Sequence, residues 1–270
     1  MFQSLLRRNQ IQSVEFGLQL VGNNVASDMK DIIYFSRWCT TSNDILKYLE
    51  TFHGKAPLAI VSKDDKTLRS IALSSSDRLK EEYRNTNRHI SRAIVSTSSA
   101  SNYLQVLSGA GDTHSYTVAS LADSEIFKTL LASPEILWTG IINDPFYRNF
   151  QEAPVIPIVR PVYNTYGTKA IGWVYVSVST TVITDYLKSF PLPDDSRLYF
   201  TMGEKFYRIQ GEHFEEIPPD FTILSQEKVP GVDAGTLVQK DRNSHHPLSG
   251  TGRLVSSPDS VQAAADKAET

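Results

Sequence analysis

Residues 155–178 constrain the fold of this chain more than any other stretch. They read Val-Ile-Pro-Ile-Val-Arg-Pro-Val-Tyr, then Asn-Thr-Tyr-Gly-Thr-Lys, then Ala-Ile-Gly-Trp-Val-Tyr-Val-Ser-Val. Two runs rich in β-branched and aromatic residues flank a short polar turn containing Gly167, the pattern of a long antiparallel hairpin. Side chains alternate along a strand, so Ile156, Ile158, Arg160 and Val162 share one face. A guanidinium among aliphatic neighbours is costly unless an anion or several acceptors meet it. Its counter-group is either a ligand anion or an internal carboxylate such as Asp144. Pro157 and Pro161 are the obstacle to a central strand, because each lacks an N–H. Both are odd-numbered, so the missing donors lie on one side and can point away from one partner. The expectation is that 155–163 and 170–178 pair as antiparallel strands.

Upstream, Trp138 and the run Asp144-Pro145-Phe146-Tyr147-Arg148 add aromatic and polar groups close to this hairpin. With Arg160, Tyr163, Trp173 and Tyr175 they fall within about 40 residues, and hairpin geometry can bring them together. Aromatic side chains supply apolar walls with polar tips, and arginine supplies a planar fork for carboxylate or phosphate. Two readings stand beside each other: a sheet core in which one arginine pairs with an internal carboxylate, and a small-molecule pocket built on a sheet.

The rest of the chain organises around that hairpin. Residues 11–50 read as a long helix, with Val14, Leu18, Val21, Val25, Met29 and Ile32 recurring at gaps of four and three. Ser42-Asn43-Asp44 reads as an N-cap that restarts a second helix after a break near Thr40. Asp64-Asp65-Lys66 opens a polar helix that runs to the Asn85-Thr86-Asn87 cluster. Residues 89–96 and 103–107 read as strands, 118–131 as one helix stopped by Pro134, and 136–142 as a further strand. Ser179-Thr180-Thr181 caps a helix through Tyr186, Leu187 and Phe190. Pro191 and Pro193, followed by Asp194-Asp195, form the best boundary in the chain. Beyond it lie three short β runs at 197–202, 205–209 and 213–217, with further strands expected at 237–238 and 253–256. The organisation expected is a helical spine over 1–56, a larger module over 57–190, a smaller β-rich module over 191–256 and a tail over 257–270. The fold class is α/β in the α+β sense, built on antiparallel sheets.

Composition limits the function classes. The chain has 270 residues, 40% hydrophobic and 21% charged, ordinary values for a globular protein able to bury a core. A formal net charge of −3 argues against a general nucleic-acid binder, which carries a basic stripe. No segment approaches the ~18 uninterrupted apolar residues of a membrane span. No secretory leader is visible, since Arg7-Arg8 is not followed by an apolar core. Read literally, this is a soluble protein. The single cysteine, Cys39, cannot close an internal disulfide and reads as a packed, inert thiol.

Catalytic and metal-binding signatures are missing from the sequence. There is no phosphate loop, no His-Glu-x-x-His, no paired-cysteine spacing and no nucleophile elbow. His245-His246 on a strand would face opposite ways, Asp194-Asp195 beside prolines reads as a solvated linker, and Asp112 with His114 is a chance neighbour pair. No catalytic residue, metal or cofactor is expected. What remains is a recognition surface; the rival is a soluble α/β hydrolase or transferase with an unmarked site.

One resemblance sharpens the first reading. Arg160-Pro161-Val162-Tyr163, a glycine turn, then Ile171-Gly172-Trp173-Val174 followed by a helix resembles the double Cache sensor domains of bacterial two-component histidine kinases. It extends over residues 12–255, nearly the whole chain. The resemblance implies a long N-terminal helix beside two PAS-like modules. The membrane-distal module would hold a small polar ligand against its sheet, pointing at Trp138, Asp144, Tyr147, Arg160 and Tyr163; Arg148, Trp173 and Tyr175 join them from the same aromatic cluster. It further implies an extracellular location, membrane helices flanking the chain, a homodimer in the full receptor, and kinase activity outside this segment. The Arg-x-Trp-Tyr signature of amino-acid-sensing Cache domains is not reproduced; Arg37-Trp38 lacks the following tyrosine.

Overall fold

A computed structural model describes residues 2–57, 65–86, 88–108, 115–133, 139–146, 153–190, 198–218 and 253–256. The described residues fall into two compact units, one spanning Asp28–Thr180 and the other joining the residues up to Ser27 with those from Thr181 onward. Helix α1 (Phe2–Thr41) contributes to both. It extends for about 60 Å at 1.5 Å per residue. It ends where the Ser42 signal predicts, and α2 (Asn43–Phe52) restarts after it.

In the larger unit, α3 (Lys66–Asn85) begins on an Asp65 cap whose side chain accepts from the Leu68 N–H at 3.1 Å. Strands β1 (Ile90–Thr97) and β2 (Tyr103–Leu107) follow, then α4 (Ser115–Asp123), α5 (Glu125–Ala132), β3 (Ile142–Asn143), β4 (Pro154–Tyr163) and β5 (Ala170–Ser179). The expected single helix over 118–131 is two, because Ser124 caps the second: its Oγ accepts from the Phe127 N–H while its hydroxyl donates to the Leu121 carbonyl. The strand expected over 136–142 is confined, among the described residues, to the two-residue β3.

The strands form one antiparallel sheet in the order β2-β1-β5-β4-β3. The hairpin predicted from residues 155–178 is present, with Ile158 opposite Val176 and Arg160 opposite Val174. Its prolines sit where the parity argument puts them. β3 bridges β4 only at Pro154 and Val155, so past that point the outer edge of β4, where Pro157 and Pro161 have no N–H to offer, meets no strand among the described residues. Asn164 holds the turn by accepting from the N–H groups of Thr168 and Lys169 at 2.8 and 3.2 Å, and Glu50 of α2 accepts from Thr165.

Opposed residues in an antiparallel ladder share a face, which sorts the sheet cleanly. One face carries Ala93, Val95, Gly172, Val174, Val176, Ile156, Ile158, Arg160 and Val162. It packs on the helical layer, where Ile32, Phe35 and Cys39 of α1 and Ile45, Leu49 and Phe52 of α2 are fully buried. The other face carries Arg92, Ile94, Trp173, Tyr175, Ser177 and Val159. It packs on α4 and α5 through Val118, Leu121, Phe127 and Leu130.

The smaller unit begins its C-terminal part with α6 (Thr181–Lys188), followed by β6 (Leu198–Met202), β7 (Lys205–Gln210), β8 (His213–Ile217) and β9 (Arg253–Ser256). These strands pair in the order β8-β7-β6-β9, all antiparallel. Gly203 and Gly211 supply the positive φ of the two hairpin turns, at 59° and 61°. Phe200 and Tyr207 are buried with ring centroids 6.3 Å apart. The division between units falls at Thr180/Thr181, before α6, whereas the sequence suggests 191–196, a span outside the described residues. Phe190 shows why α6 belongs here: its ring lies so close over Gly17 that a Cβ there would stand 1.8 Å from it. The expectations for 237–238 and 257–270 also lie outside the described residues.

Candidate ligand-binding site

The face of the five-stranded sheet that meets α4 and α5 gathers the polar groups that sequence reasoning sought around the hairpin. Its most consequential member is Arg92, 2% exposed at the start of β1. The register shifts between Ile90 and Arg92: Ile90 pairs with Val178, but Arg92 pairs with Ser177. This irregularity turns Ile90 to the helical core and Arg92 to the opposite face, as a bulge re-aims a side chain.

Asp144 comes to Arg92 from the loop after β3. Its Oδ1 accepts from the Phe146 N–H at 3.0 Å, a local turn that the Asp-Pro-Phe sequence favours. Its Oδ2 lies 3.8 Å from Arg92 Nε, with both side chains almost wholly buried. The same turn brings Phe146 over the sheet. Its ring sits 4.7 Å from the Arg92 guanidinium carbon and 5.8 Å from the Tyr175 ring centroid. Trp173 meets Phe127 of α5 edge-on at 4.8 Å.

Burial raises the Asp144 carboxyl above its ordinary 3.8; the Phe146 N–H and the Arg92 charge pull it partway back. Burial drives the Tyr175 phenol far upward, with the Asp144 charge adding to it, so it stays protonated. A carboxyl whose folded pKa exceeds its unfolded one holds its proton more tightly when folded. Its contribution to stability is complete below the ordinary value and is lost as pH rises through the raised one, the reverse of a salt-bridged carboxylate. Asp144→Asn, whose amide oxygen still accepts from Phe146, is therefore expected to flatten the pH dependence of the melting temperature across that acid window. Parallel curves for variant and wild type would remove Asp144 as the cause.

On the same face are buried polar atoms with no hydrogen-bond partner among the described residues: Gln105 Oε1, Trp173 Nε1, Tyr175 OH and Ser177 Oγ; Thr139 Oγ1, before β3, is a fifth such atom in the chain. The Ser177 hydroxyl is near enough to Tyr175 to hold its phenol down slightly, but the two make no well-formed hydrogen bond. Gln105 opposes Ile94, Ser177 opposes Arg92, and Tyr175 and Trp173 alternate with them on the same face. An unmet buried polar group costs about 1–3 kcal/mol. Donors (Trp173, Tyr175, Arg92) and acceptors (Gln105, Asp144) both point at this face.

Of the residues selected from sequence, Asp144, Trp173 and Tyr175 converge here. Arg160 does not: it is on the helical face, opposite Val174, and its Nε donates to Ser36 Oγ of α1 at 2.8 Å. The alternation that placed Arg160 with Ile158 and Val162 is right, and for that reason it cannot share a site with Tyr175, which opposes Val159. Asp144, named as one possible internal counter-group for Arg160, lies instead against Arg92. Tyr163, at the end of β4 beyond a register shift, is 49% exposed and outside the cluster. Trp138, Tyr147 and Arg148 lie outside the described residues. Arg92, Gln105, Thr139 and Ser177 were missed, although Arg92 alternates with Ile90 and Ile94 in sequence just as Arg160 does with its neighbours. Among the described residues no group of three His, Cys, Asp or Glu side chains is placed to hold a metal ion.

No protein-family model matches the sequence, and comparison with curated proteins finds no match. Solved structures do match. A domain of a sensory box/GGDEF family protein from Vibrio parahaemolyticus superposes with a TM-score of 0.54 at 11% identity, covering 95% of this chain and 99% of that one. The sensory domain of the Campylobacter jejuni chemoreceptor Tlp3 with isoleucine bound matches with a TM-score of 0.44 at 11% identity, covering 95% and 97%. The extracellular domain of a histidine kinase matches with a TM-score of 0.47 at 14% identity, covering 80% and 74%. The likeness to the Vibrio domain, over nearly the full length of both chains, is one of fold. The architecture that the Cache resemblance implied, a long helix with two modules on antiparallel sheets, is the architecture observed.

Proposed function

We propose that this chain is a ligand-sensing domain that binds a small polar molecule on the α4–α5 face of its five-stranded sheet. The observation that carries the proposal is the set of polar atoms at Gln105, Trp173, Tyr175 and Ser177, on the face of the buried Arg92–Asp144 pair, that no described residue meets with a well-formed hydrogen bond. Folded proteins rarely leave such atoms unmet, and a group of them on one face is accounted for by a partner that meets them. A ligand with both donors and acceptors suits this set, with Phe146 and Trp173 as apolar walls. Within the same proposal, the larger unit is the ligand-binding module and the smaller one the membrane-proximal module. The domain is extracellular, flanked by membrane-spanning helices, and paired as a homodimer in a sensor histidine kinase. Among the described residues no helix is long and apolar enough to cross a membrane, so the flanking spans are sought in the full-length sequence.

The test is a thermal-shift screen of the chain against amino acids, carboxylates, amines and other small polar metabolites, since binding to the folded state raises the melting temperature. Tyr175→Phe removes a phenol with no well-formed hydrogen bond to a described residue. It is expected to leave the free chain as stable as wild type or up to ~1–3 kcal/mol more stable. The same variant is expected to lose most of the shift given by the ligand found. A Tyr175→Phe chain that melts well below wild type would mean that the hydroxyl serves the fold. One that keeps the full ligand shift would move the site elsewhere.

A further inference from the structure

His89, in the turn that leads into β1, is 3% exposed and has no part in the ligand face. We propose that His89, Asp28 and Arg88 form a proton-operated clasp that fastens helix α1 to the start of β1. His89 Nε2 lies 3.5 Å from Oδ2 of Asp28 on α1. The same nitrogen accepts from the Nε–H of Arg88 at 3.4 Å. An imidazole nitrogen either accepts through its lone pair or donates through its proton, and cannot do both at once. While His89 is neutral and accepts from Arg88, an unprotonated nitrogen stands against the Asp28 carboxylate, and two acceptors that face each other repel. A proton on Nε2 reverses this arrangement. The imidazolium donates to Asp28 and gives up Arg88, which is exposed and returns to water at little cost.

Three elements meet at His89 and Ile90. Helix α1 arrives through Asp28; α3 through Tyr83, whose O–H donates to the Ile90 carbonyl at 2.8 Å; and β5 through the Ser179 N–H, which donates to the His89 carbonyl at 2.8 Å. The α3 and β5 contacts end on backbone carbonyls and do not change near neutral pH. Of the three, only the α1 contact depends on a proton. The titratable and charged groups bearing on the imidazole are thus Asp28 from α1, Arg88 from its own turn and Tyr83 from α3, the last kept protonated because burial raises its phenol. Arg92, farther along β1, has its carboxylate in Asp144. Asp28 favours the imidazolium and Arg88 opposes it. The two are not equal: the Asp28 side chain is 16% exposed, whereas Arg88 is exposed and its charge is screened by water. Burial of the ring disfavours its charge, and the carboxylate beside it offsets that cost.

The test follows the His89 ring C–H resonance of the full chain by NMR from about pH 5 to about pH 8.5, a range that brackets the ordinary histidine value of ~6.5. The signal is assigned by its loss in His89→Gln. Wild type is expected to titrate with a midpoint above ~6.5, and Asp28→Asn to lower that midpoint by at least about one unit. Asp77→Asn, which removes an exposed carboxylate paired with Lys80, is expected to leave it unchanged. A raised folded midpoint makes the contribution of the clasp complete below the ordinary value and lost as pH rises through the folded one. The melting temperature of wild type is therefore expected to exceed that of Asp28→Asn by more at about pH 5.5 than at about pH 8.5. This second readout needs no assignment, so it serves even if His89→Gln does not fold. A His89 signal that does not titrate in this range, a midpoint below the ordinary value, a midpoint that Asp28→Asn leaves in place, or a melting difference equal at both pH values would overturn the proposal.

Discussion

Replacing Gly172 with alanine is expected to cost the chain about 3 kcal/mol, the upper end for overpacking a core. At roughly 2–4 °C per kcal/mol for a unit of this size, the melting temperature falls by about 6–12 °C. Gly172 lies in β5 between Thr97 of β1 and Val162 of β4. A Cβ there would stand 2.3 Å from the Ser96 carbonyl oxygen, and 3.1 and 3.2 Å from the two δ-carbons of Leu49. The leucine can give by changing rotamer; the carbonyl belongs to the neighbouring strand and cannot move without displacing the ladder. The Ile-Gly-Trp run therefore contains a glycine because β1 and α2 close in on it from the helical side. Thermal unfolding of the purified variant is the measurement. A fall of less than about 2 °C would mean that the sheet relaxes around the methyl group at little cost.

Arg92→Met is expected to be at least as damaging, through electrostatics rather than volume. Removing one member of a buried ion pair costs ~3–5 kcal/mol because the survivor is left desolvated. The loose 3.8 Å separation, and the freedom of Asp144 to take up a proton, place this pair near the lower end. Loss of the cation over the Phe146 ring adds about 1 kcal/mol. In the double variant Arg92→Met/Asp144→Asn the stranded charge is gone, so it should recover at least half of the loss. Urea denaturation of the four proteins in this cycle gives the coupling energy, expected at ~1–3 kcal/mol. Strict additivity would show that the two side chains are neighbours without being partners.

Much of the architecture was legible because it rests on local chemistry. The α1–α2 break follows from Ser42, the start of α3 from Asp65, and the hairpin turns of the smaller unit from Gly203 and Gly211. The β4–β5 pairing followed from alternation, including the parity that lets Pro157 and Pro161 lie along one edge. Local signals failed where a single cap decided the outcome: Ser124 splits the expected helix, and its Asp-Ser-Glu context is a cap signal that an apolar period of 3.6 obscures. The candidate site was legible only in part. Trp173, Tyr175 and Asp144 were found because they crowd the hairpin in sequence. Arg92, Gln105 and Ser177 were missed because nothing in a strand's alternation says which of its faces meets a ligand.

Arg92 and Arg160 mark the line between what the sequence and the tertiary structure each decide. Alternation alone places each arginine on one definite face of its own strand, among aliphatic residues, since side-chain direction is a local property of extended backbone. Which faces of different strands coincide is set by register, and the shift at Ile90/Arg92 reverses the answer for Arg92 within two residues. Which side of the sheet receives α1 and α2, and which receives α4 and α5, is set by long-range packing of apolar surfaces that carry no label in sequence. The sequence by itself therefore determined that Arg160 would need a partner, and the same alternation around Arg92 carried the same demand unread. Only the folded sheet decided that Arg92 meets Asp144 beneath Phe146, while Arg160 meets a serine hydroxyl on the opposite face.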